Sequence, residues 1–352
     1  MRRQLLALGI IVIVVGVLVQ ALPSTTPIQP MVVEELAAEQ SYNAITKISS
    51  SAYALGGELS TGTESWQVEP SIVVRGIGVN EPLYMLDGIS TSEIDLGTVV
   101  SFAVSENPTV TTDGHPATLY GAASAGILDY DNGGTGIVHI LAKSGTNQFL
   151  TVPFAYTDES LSDLAYDPDG MLWGAGMRFE FSGPVPVLGF FDEGGTFHPV
   201  DTSVASQSGS FQHVDFIDID IGIAYGSASA NDQPAQPLLI LSYDAGQTWA
   251  PPPSLPWDVG TINAAQYVDP CLWVAGESPD GAAFAATMDG GTTWTTQTMP
   301  DATYIWDMKI ARIAPLACQQ EKSWQLGAAL GTYVLEDGSK ESIVFRTLDG
   351  LT

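Results

Sequence analysis

The chain has 352 residues with 40 Asp and Glu but only 11 Lys and Arg, which gives a formal charge of −29. Charged residues make up 14% of the chain, against about 25% in typical soluble proteins, so the chain is poor in bases rather than built around acidic blocks. Because no basic patch can be assembled, the composition argues against a nucleic acid or an anionic membrane surface as a partner.

The chain opens with Arg2 and Arg3, followed by an uncharged apolar run at residues 5–22. As a helix, at about 1.5 Å per residue, this run reaches roughly 27 Å, close to the thickness of a hydrocarbon core. The arginines are expected to stay in the cytoplasm and the rest of the chain to be exported. Residues 1–22 are therefore either a cleaved signal peptide, for which residues 19–21 resemble a processing site, or a retained anchor. Both interpretations predict an extracytoplasmic protein, secreted or anchored to the outer side of the cell membrane.

Residues 23–42 form a linker in this interpretation, because residues 23–30 are rich in Pro, Ser and Thr and offer no core of their own. Within it, residues 30–37 are either a strand that closes the last sheet from the other end of the chain or a short helical extension of the linker.

Residues 43–352 consist of short runs of Val, Ile, Tyr, Trp and Thr separated by Gly, Pro, Asp and Ser, which is typical of strands and turns. Four of these runs end on a glycine, and the spacings between the four glycines are 50, 50 and 51 residues: Gly176, Gly226, Gly276 and Gly327. Such a regular period indicates a repeat architecture. Each glycine is followed by a variable loop, another apolar strand and an acidic turn, and four antiparallel strands in about 50 residues are a propeller blade.

Weaker copies of the unit precede these four. Residues 118–149 carry Ser144 where the acidic residue is expected, and residues 52–66 and 74–91 look like two shortened units. The sequence therefore predicts an all-β, seven-bladed propeller over residues 43–352, with six blades if the two short units merge.

The acidic turn reads SYDAGQTW at residues 242–249, TMDGGTTW at 287–294 and FFDEGGTF at 190–197, with a truncated copy at the end of the chain. An Asp in a turn can accept backbone N–H bonds, and the Gly supplies a positive φ. The Thr can tie the far side, while the final ring can fill the space between blades. The residues assigned to these structural turns are Asp192, Gly194, Thr196, Phe197, Asp244, Gly246, Thr248, Trp249, Asp289, Gly291, Thr293, Trp294 and Asp349.

This pattern resembles the Asp-box, or bacterial neuraminidase repeat, of sialidase-like propellers and of propellers similar to the photosystem II assembly factor. The resemblance covers residues 160–352 well and residues 43–159 poorly. It implies that the turn joins the third and fourth strands of a blade, on the face away from a substrate pocket, and that its role is structural.

Sialidase chemistry needs a cluster of arginines for the substrate carboxylate. Beyond residue 3 the chain has only Arg75, Arg178, Arg312 and Arg346. The last two fall in strand runs, so a clamp of three arginines cannot be built.

A hydrolase acting on a neutral glycan needs only two carboxylates at the right separation. The candidates are Asp129, Asp131, Glu180 and Asp215, each of which is also readily explained as a solvated loop or turn acid. Residues 129–134 resemble a calcium loop but lack the later ligands of one. No metal site, cofactor or catalytic residue is therefore assigned.

The weak candidates for ligand contact are Arg178, Glu180, Asp129 and Asp131. Arg178 and Glu180 alternate on one strand and point to the same side, which suits a structural ion pair as well as a ligand. Cys271 and Cys318 precede equivalent strands of adjacent units, and they form either a disulfide between blades or two buried thiols.

The sequence predicts a non-catalytic binding or assembly scaffold outside the cytoplasm, whose partner is an extracytoplasmic protein or glycan. The alternative is a glycoside hydrolase acting on a neutral glycan.

Overall fold

The computed structural model describes most of the chain in segments: residues 40–49, 52–60, 68–76, 82–87, 99–105, 109–112, 115–118, 122–128, 134–142, 149–202, 204, 208–216, 220–229, 234–268, 271–299, 304–312, 325–334 and 340–347. Several sequence predictions lie outside these segments and stay predictions. They concern the apolar run at residues 5–22, the closing strand at residues 30–37, Asp129, Asp131, Cys318 and Asp349.

Every regular element of the described residues is a β-strand. Within those segments no helix is long and apolar enough to span a bilayer. The all-β prediction is confirmed for this part of the chain.

The first sheet has the order β1-β2-β3-β4, and its strands are β1 (Gln40–Ser49), β2 (Ala52–Ser60), β3 (Val68–Gly76) and β4 (Pro82–Asp87). Strand β1 begins inside the segment that the sequence assigns to a linker. The two stretches predicted as separate short units, residues 52–66 and 74–91, both contribute strands to this one sheet. They do not form a sheet each.

The second sheet is interrupted by a hairpin. Its order is β5-β8-β9-β10, and the hairpin β6-β7 lies between its first two strands in the chain. The six strands are β5 (Val99–Ser105), β6 (Thr109–Thr112), β7 (His115–Thr118), β8 (Ala122–Leu128), β9 (Thr135–Ala142) and β10 (Phe149–Thr157).

Four further sheets follow in chain order, each with neighbouring antiparallel strands. The third is β11 (Ser160–Tyr166), β12 (Leu172–Glu180), β13 (Gly183–Phe191) and β14 (Phe197–Pro199). The fourth is β15 (Gly209–Phe216), β16 (Gly222–Ala228) and β17 (Gln236–Ser242). The fifth is β18 (Thr261–Val268), β19 (Cys271–Ser278), β20 (Gly281–Thr287) and β21 (Thr295–Thr298). The sixth is β22 (Tyr304–Arg312), β23 (Gln325–Val334) and β24 (Lys340–Thr347).

The sheets pack against one another in chain order. Strand β1 contacts β5, β5 contacts β11, β11 contacts β15, β18 contacts β16 and β17, and β22 contacts β18. The apolar clusters lie between successive sheets; one, for example, joins Trp173 of β12 to Phe211 of β15 and Ile240 of β17. The middle strands are therefore covered on both faces, which explains why they read as continuous apolar runs rather than alternating ones. The outer strand β21, with the sequence TTQT, is mostly exposed.

The first strand of every sheet carries a β-bulge at an equivalent place. One residue is skipped in the pairing with the second strand, and the skipped residues are Asn43, Val100, Ser162, Gln212, Asn263 and Trp306. A bulge bends the strand and leaves the skipped residue out of the ladder. The sequence analysis did not predict this feature.

The bulge explains the repeated glycine. The residue paired with the position just before each bulge is Gly57, Ile127, Gly176, Gly226, Gly276 or Gly331. A Cβ at Gly276 would lie 2.0 Å from the Thr261 carbonyl oxygen, and one at Gly226 would lie 2.2 Å from the Ser210 carbonyl oxygen. A side chain would occupy the space that the bulged backbone takes.

The predicted glycine of the last unit is wrong. In β22 the residue directly before the bulge is Ile305, and it pairs with Gly331. Gly327 pairs instead with Ile310, which lies after the bulge. The apparent 51-residue spacing therefore compared two different places in the repeat.

The stretches that follow Gly176 and Gly327, predicted as variable loops, are largely strand. In residues 177–186 the strands β12 and β13 leave only Phe181 and Ser182 as the turn. Similarly, β23 and β24 cover most of residues 328–341. The second strands run past their bulge glycines instead of ending on them.

Cys271 is fully buried at the first position of β19, and none of the described cysteines is free. Its predicted partner Cys318 lies outside the described residues, so the bridge between adjacent sheets stays a prediction.

Replacing Gly276 with Ala tests the role of the bulge. The new Cβ would meet backbone rather than a movable side chain, so we expect a loss of about 1–3 kcal/mol in the free energy of unfolding, measured by denaturant titration. Gly194→Ala is the control, because a Cβ there meets only the Asp192 carboxylate at 3.3 Å. Equal effects of the two substitutions would show that the bulge does not require glycine.

Candidate functional site

The side chains around the bulges link each sheet to the next. We call Ser101, Asp163, His213, Tyr225, Asn263 and Asp307 the bulge residues. Five of them lie on the first strands of the second to sixth sheets, at or directly after the skipped position, and Tyr225 lies on β16.

The backbone N–H two positions after the bulge receives a side-chain acceptor in four successive sheets. Leu164 N–H donates to Ser101 Oγ at 3.3 Å, and Val214 N–H donates to Asp163 Oδ2 at 3.1 Å. Ala265 N–H bonds to the Tyr225 hydroxyl. In these three cases the acceptor belongs to the preceding sheet, so a donor that the bulge removes from the ladder is paired across the sheet boundary.

The sixth sheet pairs the same N–H differently. Met308 N–H donates to the carboxylate of its own neighbour Asp307, at 2.7 Å. The residue of the fifth sheet that corresponds to Asp163 is Ala264, which offers no acceptor. Asn263 supplies the link between these two sheets in the other direction, since its Nδ2 donates to the Ile305 carbonyl oxygen at 2.9 Å.

Asp163 is the most heavily bonded of these groups. Its Oδ1 accepts the Ser101 hydroxyl, its Oδ2 accepts Val214 N–H, and His213 Nδ1 lies 3.4 Å from Oδ2. This one carboxylate therefore joins the second, third and fourth sheets. An acidic side chain is suited to this position because a carboxylate can accept several bonds at once.

Tyr225 lies beside the same groups and is buried. Burial raises the pKa of the Tyr225 hydroxyl far above its usual value, and the negative charge of Asp163 adds to the effect. Its ring stacks on that of His213 with a centroid distance of 5.0 Å. Tyr225 is therefore neutral at physiological pH and acts as a hydrogen-bonding group.

None of the bulge residues was predicted from the sequence. The signal was present in the first strands, which align as LSDLAY at 161–166, FQHVDF at 211–216, INAAQY at 262–267 and IWDMKI at 305–310. In each, a buried apolar residue is followed by two residues, mostly polar, and then by an apolar or small residue. Aligning the units on their first strands, instead of on the glycine of the second strand, would have revealed this pattern and with it the bulge positions.

Arg178 and Glu180, the weak candidates for ligand contact, pair with one another. Arg178 Nη2 lies 3.3 Å from Glu180 Oε1, and Arg178 Nη1 lies 3.8 Å from Glu159 Oε1. Both side chains of the first pair are 46% exposed, so the pair adds little stability. Asp215 lies near the other end of the neighbouring sheet, so the structure does not bring the two candidate carboxylates Glu180 and Asp215 together.

The acidic turns at Asp244 and Asp289 have the same hydrogen bonds. Asp244 Oδ1 accepts Thr248 N–H at 2.8 Å, and the Thr248 hydroxyl donates to Oδ2 at 2.6 Å. In the other turn, Thr293 N–H and its hydroxyl donate to Asp289 at 2.9 and 2.7 Å. The carboxylate thus ties the far side of the turn to its start.

The first residue of the pattern has a role that the sequence analysis did not assign. The buried Ser242 hydroxyl donates to Asp244 Oδ1 and accepts Gly246 N–H, at 2.9 and 2.8 Å. Thr287 makes the same two bonds to Asp289 and Gly291. The repeated Ser or Thr two residues before the Asp was the available signal.

The turn at Asp192 differs. Its Oδ1 accepts Gly194 N–H and Thr196 N–H at 2.9 and 2.8 Å, and its Oδ2 lies 2.9 Å from His198 Nε2. The positive φ is at Gly195 (78°), whereas the other two turns each have two successive residues with positive φ, the second of which is the predicted Gly246 (81°) or Gly291 (86°). The expectation for Gly194 is wrong because this turn has its left-handed residue one position later.

The aromatic ring that ends each pattern is buried to different degrees. Trp249 is 5% exposed and packs on Trp173 and Phe216 at centroid distances of 5.7 and 5.8 Å, so it fills the space between the third and fourth sheets. Trp294 is only partly buried, and its Nε1 donates to the Ser254 carbonyl oxygen at 3.0 Å. Phe197 packs on Phe191 at 4.9 Å.

A small cavity of about 200 Å³ lies beside the acidic turns, between Tyr243, the prolines 251–253 and Gly290. Within the described residues no group of His, Cys, Asp and Glu side chains is arranged to hold a metal ion.

Truncating the two tryptophans should separate their roles. Trp249→Ala is expected to lower the free energy of unfolding by about 3–5 kcal/mol, since a large buried ring is lost. Trp294→Ala should cost clearly less because its ring is partly exposed. Denaturant titration of both variants checks this, and a loss below about 1 kcal/mol for Trp249→Ala would contradict the packing.

The turn carboxylates predict a pH dependence. The bonds from Thr293 and Thr287 hold the pKa of Asp289 at about 2, below the ordinary 3.8. Because the folded pKa is lowered, this contribution to stability is complete above pH 4 and is lost as the pH falls towards 2.

The stability difference between the wild type and Asp289→Asn should therefore shrink between about pH 4 and pH 2. Thermal unfolding across that range measures it. A carboxyl ¹³C titration midpoint near the ordinary value would contradict the assignment.

Comparison with known proteins shows likeness only at the level of the fold. No protein-family model matches the sequence, and no curated protein matches it. Among solved structures, the α-L-arabinofuranosidase arb93a from Fusarium graminearum in complex with an iminosugar inhibitor has a TM-score of 0.52 at 11% identity. That match covers 89% of this chain and 94% of the other.

Two further structures are less similar. The Trypanosoma rangeli sialidase has a TM-score of 0.46 at 9% identity, over 89% of this chain and 55% of the other. The second is Chaetomium thermophilum Sqt1 bound to the N-terminus of the ribosomal protein L10. The Sqt1 match has a TM-score of 0.46 at 14% identity and covers 83% of each chain. The bulged sheets of this chain, of three or four strands each, thus share a β-propeller fold with the arabinofuranosidase.

Proposed function

We propose that this chain is an exported, membrane-tethered propeller of six blades that acts as a non-catalytic binding scaffold, with an extracytoplasmic protein or glycan as its partner. The six blades correspond to the six sheets, each of which starts with a bulged first strand. The tether is the apolar run at residues 5–22.

This proposal depends mainly on the hydrogen bonds that Asp163 accepts. In a propeller the first strands line the centre, so a central carboxylate is the natural candidate for glycoside chemistry. Here both oxygens of Asp163 accept hydrogen bonds from neighbouring sheets, one from Ser101 and one from Val214 N–H. A carboxylate held in this way supports the join between blades and is poorly placed to transfer a proton.

The surrounding groups support the same conclusion. Burial and the nearby negative charge raise the pKa of Tyr225, so its phenolate form is disfavoured and a nucleophilic role is disfavoured with it. Asn263 donates to backbone rather than to an open space. Asp163, Tyr225 and Asn263 are thus engaged in bonds between sheets.

A glycoside hydrolase is the second candidate, favoured by the fold shared with an α-L-arabinofuranosidase. In that case Asp163, Asp215 and Asp307 would be the acidic groups to consider, because all three charges act on Tyr225. A pair of them would have to supply the acid and the base or nucleophile.

The two functions are separated by assaying the full chain on a panel of aryl glycosides, including an arabinofuranoside, and on a glycan array. If the chain is a scaffold, the wild type should turn over these substrates no faster than Asp163→Asn does. It also predicts that Asp163→Ala lowers the free energy of unfolding by about 1–3 kcal/mol, because Val214 N–H loses its buried acceptor.

The exposed acid Asp158 provides the matched control as Asp158→Asn, which should leave stability unchanged. Turnover by the wild type that disappears in Asp163→Asn or Asp215→Asn would overturn the scaffold in favour of the hydrolase.

A further inference from the structure

The hairpin between β12 and β13 exposes two aromatic rings at its tip. Phe181 is 112% exposed and Phe179 is 64% exposed, the two largest values among the large hydrophobic side chains of the described residues. The strands are paired without interruption up to Glu180 and Gly183, so Phe181 and Ser182 form a two-residue turn on a regular ladder. Exposed rings on such a rigid projection mark a contact surface.

The other side of the hairpin is charged and internally balanced. By strand alternation Arg178 and Glu180 lie on the side opposite Phe179, and Arg178 is near both Glu180 and Glu159. The aromatic side therefore projects without a charge of its own.

The start of the described chain lies at the same end of the sheets as this tip. Gln40, the first residue of β1, pairs with Leu59 near the end of β2, just as Ser160 of β11 pairs with Met177 of β12. Ser101 of β5 contacts Asp163 of β11, and Thr135, at the end of the second sheet where β5 begins, bonds to Glu159 and Leu161 at the start of β11, so these two first strands run in the same direction. The repeat extends this direction to β1, which packs on β5. The chain preceding Gln40 thus enters the propeller on the face that carries the hairpin.

We infer that the tip formed by Phe179 and Phe181 inserts into the interfacial region of the lipid bilayer to which the chain is tethered. This rests on the proposed membrane tether. Seventeen residues separate the apolar run, residues 5–22, from Gln40, and extended they reach at most roughly 60 Å. Such a tether holds the entry face close to the bilayer and raises the effective concentration of the tip there.

The chemistry of the tip fits a zwitterionic lipid surface. Phe is among the side chains that interfacial protein segments bury at the boundary between headgroups and acyl chains, and Arg178 has the aliphatic stem and charged head that allow it to extend towards the headgroups. The net charge of −29 opposes binding to an anionic surface, so electrostatic attraction cannot be the source of the contact.

The opposite face of the sheets is less suited to contact with the bilayer. Its exposed apolar side chains include Tyr243 and Met288, but each directly precedes a turn carboxylate, Asp244 or Asp289, whose pKa is lowered. These two carboxylates accept bonds from Thr248 and Thr293 hydroxyls, whereas Glu180 beside the tip is paired with the Arg178 guanidinium. Inserting Tyr243 or Met288 would therefore bring a carboxylate bonded only to neutral groups towards the hydrocarbon, which is costly.

The test uses the full chain reconstituted into phosphatidylcholine vesicles. Ser182→Cys at the tip carries an environment-sensitive fluorophore, and Gln247→Cys, exposed in a turn at the opposite end, carries the same fluorophore as the control. We expect lipids with a nitroxide on the acyl chain to quench the label at position 182 at least twofold and to leave the label at 247 unchanged. The double substitution Phe179→Ser and Phe181→Ser should abolish the quenching while the chain stays in the vesicle fraction.

The possible failures are distinguishable. Recovery of the chain in the aqueous fraction after flotation overturns the tether and this inference together. A chain that floats with the vesicles but whose tip label resists the lipid quencher overturns the inference alone. A tip label shielded from aqueous iodide but untouched by the lipid quencher indicates self-association through the hairpin and also overturns it.

Discussion

The bulge in each first strand is the constraint on which the rest of the structure depends. It bends the strand away from its own ladder and exposes a backbone N–H that cannot remain unpaired inside a protein. Where Ser101, Asp163 or Tyr225 accepts that N–H from the next sheet, a local irregularity becomes a connection between blades. In the third, fourth and fifth sheets the glycine opposite the bulge follows from the same geometry, since the displaced backbone leaves no room for a Cβ at Gly176, Gly226 or Gly276.

The acidic turns join the sheets a second time, far from the bulges along each sheet. Their carboxylates close the turn on itself, and the turn then packs on the preceding sheet. Gly246, for example, lies so close to Trp173 that a Cβ would approach the ring to 2.6 Å, and Trp249 packs on the same ring. Two sets of contacts at separate levels hold neighbouring sheets in one orientation.

This arrangement bears on function because it uses polar groups that a catalytic propeller would keep available. Asp163 bonds to two neighbouring sheets, and Tyr225 is stacked, buried and hydrogen-bonded. The more distinctive surface is at the periphery, where a regular hairpin presents Phe179 and Phe181 to solvent. Under the proposed function, sheets joined in this way and carrying peripheral contact sites are suited to holding a partner at a fixed position relative to a membrane.

The sequence by itself determined the all-β class, the unit of about 50 residues and the turns at Asp244 and Asp289, because strand patterns and turn chemistry are local properties of neighbouring residues. Tertiary structure alone decided that residues 52–66 and 74–91 share one sheet, and that Gly331 rather than Gly327 is the equivalent glycine. It also decided that Asp163 serves three sheets. Pairing register within a sheet, and contacts between sheets that join residues 42 to 63 positions apart, are not specified by any local pattern.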